Sequence, residues 1–214
     1  MFIESVNVGL PIPIEWRGET VMTGIFKYPV EKALQVSQFQ IEGDGQADLV
    51  NHGGINKAVY VYASEHYPYW NDFLQKEVET GGFGENITTS GLLDHEVFIG
   101  DEYRFGTAVL MAIQPRMPCA KLGIRFNDPM MTRHFFNARR NGIYFKVIQE
   151  GSIQKGNTIE LVKRSAYDIS IQDIVDNFVL KEKDVQKVEQ LSELDILPPW
   201  FRGEFKKMLL YGLK

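Results

Sequence analysis

Glycine-bearing turn pairs cut the first 165 residues of this 214-residue chain into short apolar runs, and that punctuation constrains the fold more than any other feature. The runs cover residues 21–26, 97–99, 108–113, 143–148 and 158–162. Around them stand Gly43-Asp44-Gly45, Gly53-Gly54, Gly81-Gly82, Gly100-Asp101, Gly106-Thr107, Asn141-Gly142 and Gly156-Asn157. Short β-rich runs at this spacing predict a mostly β fold with some α, built as a closed or nearly closed β-barrel. Residues 90–114 read as a three-stranded meander, with Gly100-Asp101 and Gly106-Thr107 as its tight connections. Two helices are expected between strands. One lies within residues 64–76, with Ser64 as N-cap and Trp70, Phe73 and Leu74 facing inward. The other spans residues 128–140, with Asp128 at the N-cap and Pro129 at the first helical position.

After residue 166 the glycines thin out and a 3.6-residue period takes over. Ser170 and Asp173 form a capping-box pattern, and Ile171, Ile174, Val175, Phe178 and Val179 share one helical face. A second helix is expected from Asp184, with Val185, Val188 and Leu191 apolar. Pro198-Pro199 opens a third, carrying Trp200, Phe201, Phe205, Met208 and Leu209. The chain therefore divides into a barrel domain over 1–165 and a three-helix module over 166–214. A bundle this small needs support, so it is expected to pack on the barrel or on a partner chain.

Apolar residues make up 44% of the chain and charged residues 24%, the balance of a soluble globular protein. A net charge of −5 argues against a nucleic-acid binder, which usually carries a basic face. No apolar run approaches the roughly 18 residues that span a bilayer, and MFIESVNVGLPIPIEW lacks the basic start of a signal peptide. A single cysteine forms no internal disulfide and suits a reducing compartment, so the cytoplasm is the expected location. None of the four histidines stands in HxxxH or HExxH spacing, which excludes the familiar zinc patterns.

That cysteine, Cys119, lies in QPRMPCAKLG (residues 114–123). Arg116 and Lys121 bring two cations close, and cations favour the thiolate. Pro115 and Pro118 stiffen the segment and remove two amide donors, so the strand over 108–113 should end here and place Cys119 at the rim. The residues alone leave two readings: a small buried thiol, or a metal ligand or nucleophile. GGFGENITT (81–89) is either a glycine turn or an anion cradle with Asn86, Thr88 and Thr89 as side-chain donors. GDGQAD (43–48) and NHGGINK (51–57) form either a solvated turn or a loop that sets His52 and Lys57 beside an anion. Arg133-His134 and Arg139-Arg140 make either a solvated basic face or a phosphate contact.

Taken in order, these segments resemble the MOSC domain family, the molybdenum-cofactor sulfurase C-terminal domain. The resemblance runs through QPRMPCAKL, residues 44–70, residues 81–110 and GIYFKVIQEGSIQKGN (142–157). The tail, SIQDIVDNFVL…ILPPWFRGEFKKMLL, is similar to the three-helix module of the YiiM-type branch, bacterial proteins linked to resistance against N-hydroxylated base analogues. Two positions depart from the pattern: Asn56 replaces an expected acidic residue, and Gly156-Asn157 replaces Gly-Asp.

The resemblance implies a β-barrel with peripheral helices and a molybdenum cofactor (Mo-molybdopterin) whose metal is ligated by Cys119. It implies reduction of small N-hydroxylated substrates such as hydroxylaminopurine, with electrons from a separate reductase. Arg116, Lys121, Asn86, Thr88, Lys57 and Arg133 are the candidate cofactor-binding residues. His52 is the first candidate proton donor, because its ordinary pKa lies near neutrality; a metal-bound water is the alternative. A homodimer is expected, with the helical tail as dimer contact or as one wall of the cleft, and with Trp200 and Phe201 as structural anchors. Two other functions stay open: a cofactor carrier without turnover, and a protein that carries sulfur as a persulfide on Cys119.

Overall fold

The structure, a computed structural model, describes residues 1–48 and 53–212. His52 lies outside the described residues. The strands are β1 (Phe2–Val8), β2 (Ile12–Trp16), β3 (Glu19–Thr23), β4 (Tyr28–Pro29), β5 (Leu34–Val36), β6 (Val59–Ala63), β7 (Ile87–Ser90), β8 (Glu102–Phe105), β9 (Ala108–Pro115), β10 (Ile143–Gln149), β11 (Gly151–Ile153) and β12 (Ile159–Lys163). The helices are α1 (Tyr67–Leu74), α2 (Lys121–Phe126), α3 (Met131–Ala138), α4 (Ile171–Val179), α5 (Val185–Glu193) and α6 (Pro199–Tyr211).

One eight-stranded sheet runs in the order β12-β8-β9-β10-β6-β7-β1-β4. β6 and β7 pair in parallel, and the other neighbours are antiparallel. Of the expected closed or nearly closed barrel, full closure is not found among the described residues. Part of β1 bonds to β4, through Asn7↔Pro29 and Val8↔Tyr28. Towards β12 it makes one bridge, Phe2↔Thr158, with three backbone bonds around it: Ile159 N–H to the Met1 carbonyl at 2.9 Å, Ile3 N–H to the Asn157 carbonyl at 2.9 Å and Gly156 N–H to the Ile3 carbonyl at 2.8 Å. The two ends of the sheet touch without a continuous ladder.

The expected meander is also shorter. Residues 97–99 form no strand, and Phe98 makes an isolated bridge to Ser170. The Asp101 carboxylate accepts the Phe98 and Ser165 N–H groups, at 2.9 and 2.8 Å, so Gly100-Asp101 is a corner rather than a hairpin. Gly106-Thr107 does join β8 to β9 as a two-residue hairpin, with Gly106 at a φ of 56°. β9 continues through Gln114 and Pro115, past the expected end at residue 113.

Strand β6 explains the position of the site. All five of its residues, VYVYA, are buried. Val59 and Val61 join the core cluster with Leu110 and Phe145. Tyr60 and Tyr62 point the other way, into a cluster with Trp70, Phe83 and Phe135. A strand with cover on both faces carries no solvent-side polar residues. Trp70 is fully buried and stacks on Phe135 at 5.4 Å, and its Nε1–H donates to the Tyr62 hydroxyl at 2.7 Å.

α1 begins later than residue 64. Ser64–His66 form a 3₁₀ turn, and the Ser64 hydroxyl donates to Glu4 Oε1 rather than capping the helix. Phe73 does not face inward; it is 43% exposed. α3 begins at Met131, and the Asp128 carboxylate accepts the Met130 N–H at 2.8 Å just before it. α2 lies between β9 and α3.

The tail forms its three helices. Ser170 and Asp173 complete the capping box, and the Asp184 side chain caps α5 through the Lys187 N–H. Ile171, Ile174, Val188, Leu191, Phe201 and Phe205 share one buried cluster with the sheet residues Phe105 and Leu110. The module is thus supported from within the chain. Among the described residues, no helix is long and apolar enough to cross a membrane.

Candidate functional site

A cleft of about 630 Å³, its open mouth included, lies where the β3–β4 loop, residues 44–47, β6, the approach to β7, the exit of β9 and β10 converge. Its wall includes Lys27, Asp44, Asn86, Arg116, Cys119 and Tyr144.

The exit of β9 is held firmly. Pro115 has no N–H, and pairing passes to Arg116, whose N–H donates to the Gly142 carbonyl at 3.0 Å. The Asn141 side chain donates to the Arg116 carbonyl at 2.8 Å. Beyond Pro118, the Cys119 carbonyl accepts both the Leu122 N–H and the Thr132 hydroxyl, each at 3.0 Å. Two pinned backbones therefore present Arg116 and Cys119 to one space. Cys119 is partly exposed and is not in a disulfide.

Arg116, expected at this site from the sequence, lines the cleft. Its side chain is buried, with the guanidinium 5.3 Å from the Tyr60 ring and 5.1 Å from the Phe135 ring. Its Nη1 is buried without a hydrogen-bond partner, and among the described residues no carboxylate pairs with it. Burial works against its charge, and the opposing pull of the Tyr60, Cys119 and Tyr144 side chains leaves its pKa above the ordinary arginine value. Burial pushes the Tyr144 hydroxyl up, against the pull of Arg116. The Lys57 ammonium is lowered by burial, opposed by Asp48 and Cys119. A buried cation without a carboxylate favours an anionic neighbour, whether a thiolate or a bound ligand.

Other expected site residues have different places. Lys57 and Lys121 line the cleft. Asn86 also lines it but is already engaged: its Oδ1 accepts the Tyr60 N–H at 3.0 Å and its Nδ2 donates to Asp44 at 2.8 Å. Thr88 is fully buried away from the cleft, between Asn7 Nδ2 at 3.1 Å and Glu85 Oε1 at 3.0 Å. The expected anion cradle is filled by a side chain of its own segment. The Glu85 carboxylate accepts the Gly81 and Phe83 N–H groups, at 2.9 and 3.0 Å, together with the Tyr67 hydroxyl. Arg133 is exposed and does not line the cleft. It stands two residues from the buried Phe135, about 200° around the helix. No residue of α4, α5 or α6 lines the cleft, so the tail is not its wall. Phe201 is buried, whereas Trp200 is half exposed and stacks on Phe178 at 5.8 Å.

Lys27, Asp44, Tyr60 and Tyr144 are among the cleft residues that escaped the sequence. Asp44 stands in a segment that reads either as a solvated turn or as a loop beside an anion, and it is buried against Lys27. Tyr144 had a usable signal, since alternation in IYFKVI puts it on one face of β10.

Could these residues hold a molybdenum-bearing pterin? Among the described residues, no three His, Cys, Asp or Glu side chains converge as a metal site. The single thiol suits a metal that arrives already chelated, with one soft position left for the protein. Arg116, Lys57 and Lys121 supply the positive charge that a phosphate-bearing group needs. The donor set fits.

The MOSC domain model matches residues 48–160. YflK of Bacillus subtilis (strain 168) is 40% identical over 204 residues, which is 95% of this chain and 92% of that protein. A protein named reductase from Gibberella moniliformis is 34% identical over 151 residues, covering 69% of this chain but 27% of its own length. The crystal structure of YiiM from Geobacillus stearothermophilus superposes with a TM-score of 0.80 at 32% identity, covering 97% of this chain and 98% of that one.

Proposed function

The chain belongs to the MOSC domain family, and from that premise we propose that it is an oxidoreductase that holds a molybdenum-pterin cofactor through Cys119 and reduces N-hydroxylated compounds to amines. The observation that carries this is Arg116: a buried guanidinium with no carboxylate partner among the described residues, in the same cleft wall as the chain's one cysteine. The relative named reductase supports an oxidoreductase reading.

Converting R–NHOH to R–NH₂ and water takes two electrons and two protons. No ordinary side chain gives up two electrons reversibly, and that is the chemistry the cofactor supplies when bound. Cys119 holds the metal. Arg116, Lys57 and Lys121 offset the negative charge of the thiolate and of the cofactor's phosphate. Tyr60 and Phe135 keep the guanidinium flat and exclude water behind it. With one cysteine this sequence cannot build a cysteine-ligated iron–sulfur cluster, and the proposed source of electrons is a separate reductase. The protein works as a cytoplasmic homodimer.

The test is amine formation. Protein produced in a host that makes the cofactor is given hydroxylaminopurine and a chemically reduced dye. Stoichiometric conversion to the aminopurine is expected. Bound molybdenum without amine would leave a carrier, and added sulfur mass on Cys119 without molybdenum would leave a persulfide protein.

A further inference from the structure

We propose that Lys27 is the proton donor of this cleft, delivering a proton to the hydroxyl oxygen that leaves an N-hydroxylated substrate; the assignment rests on the reductase reading above. Lys27 lies in the loop between β3 and β4 and lines the same cleft as Cys119 and Arg116. Its side chain is 7% exposed and bonds to the Asp44 carboxylate, itself 3% exposed. Asp44 is fixed from two further sides, by the Gly9 N–H at 3.0 Å and by Asn86 Nδ2 at 2.8 Å. Asn86 is locked in turn by the Tyr60 N–H. A buried ammonium at a cleft wall, on a carboxylate that cannot move, is a built acid rather than a surface ion pair.

The other cations of the cleft suit different work. Arg116 does not release a proton near neutrality. Lys57 has Asp48 and Cys119 as its electrostatic neighbours, which casts it as a counter-charge to the thiolate. Lys121 is less buried. Burial lowers the Lys27 pKa below the usual lysine value, with Asp44 and Glu85 opposing. That shift makes the ammonium a stronger acid.

The step balances as R–NHOH + 2 e⁻ + 2 H⁺ → R–NH₂ + H₂O. The N–O bond breaks, and the electron pair originates in the external reductase. The Lys27 Nζ–H proton goes to the departing oxygen, which leaves as water. The nitrogen takes the second proton from solvent. Solvent then reprotonates the Lys27 amine, and Asp44 stabilises the ammonium as it re-forms.

The test compares cofactor-loaded wild type, Lys27→Arg and Lys27→Ala, with hydroxylaminopurine and reduced dye. All three should hold molybdenum at the wild-type ratio. Lys27→Arg keeps a cation beside Asp44 yet should lose amine formation by about 100-fold or more. Lys27→Ala should regain part of it with added alkylammonium ions, more with the more acidic ones. An independent readout is NMR titration of ¹³C-labelled lysine side chains in cofactor-free protein, where Lys27 should titrate below the exposed lysines. Wild-type turnover by Lys27→Arg, loss of molybdenum from it, or an ordinary Lys27 titration each overturns the assignment. If Lys27→Ala does not fold, the arginine variant and the titration decide. Absence of amine from the wild type is a separate result: it removes the reductase reading and the proton donor with it.

Discussion

The side-chain amide of Asn141 donates to the backbone carbonyl of Arg116 at 2.8 Å, while the Asn141 carbonyl accepts the hydroxyl of Tyr60 at 2.8 Å. One buried residue thus fixes both the backbone that carries the guanidinium and a ring on which it lies. Asn141→Ala leaves the Arg116 carbonyl buried and unpaired, which should cost about 1–3 kcal/mol. Urea denaturation of cofactor-free protein reads that loss, and molybdenum retention should fall with it.

Arg116 should trade stability for binding. Its charge is buried without a carboxylate, so Arg116→Met is expected to leave the cofactor-free fold as stable as the wild type or more so. The same variant should lose cofactor. Arg116→Lys should not restore it, because a compact ammonium cannot lie flat between Tyr60 and Phe135. Thermal melts beside metal analysis of the three proteins check both halves.

Glu85 carries a pH signature. Burial raises its carboxyl above the usual value of 4.5, against the hydrogen bonds from Tyr67, Gly81 and Thr88. A raised folded pKa means that the folded state binds the proton more tightly. Its stabilising contribution is complete below the unfolded value and is lost as pH rises through the folded one. The wild type should therefore lose stability relative to Glu85→Gln as pH climbs from about 4.5. Denaturation midpoints across that range measure it; a difference that stays flat or grows contradicts it.

What could be read from the sequence was what local rules decide. The Ser170–Asp173 box, the Asp184 cap and the Gly106-Thr107 hairpin depend on a few adjacent residues, and the structure keeps them. Arg116, Cys119 and Lys121 stand close in the chain and share the cleft. Lys27 was invisible because its partner Asp44 is 17 residues away in a segment that reads either as a solvated turn or as a loop beside an anion. The amides of Gly81 and Phe83 do bind a carboxyl group, as the glycines suggest, but Glu85 in the same segment supplies it. Barrel closure depends on how β1 divides its edge between β4 and the bridge to Thr158, which no local pattern encodes.

The tail offers a simple check on local energetics. Ser170 accepts the Asp173 N–H at 3.1 Å, and Asp173 accepts the Ser170 N–H at 2.9 Å. Ser170→Ala should cost about 1 kcal/mol. Because α4 shares its core with the sheet, the loss should appear as one lowered cooperative transition rather than as a separate melting of the helices.

The central claim concerns what Cys119 holds. The direct measurement is molybdenum per protein chain for wild type and Cys119→Ala, purified side by side from a cofactor-competent host, with circular dichroism to confirm that both are folded. The wild type should carry close to one molybdenum per chain and the folded variant essentially none. Equal molybdenum in the two proteins would contradict the assignment of Cys119 as the metal ligand.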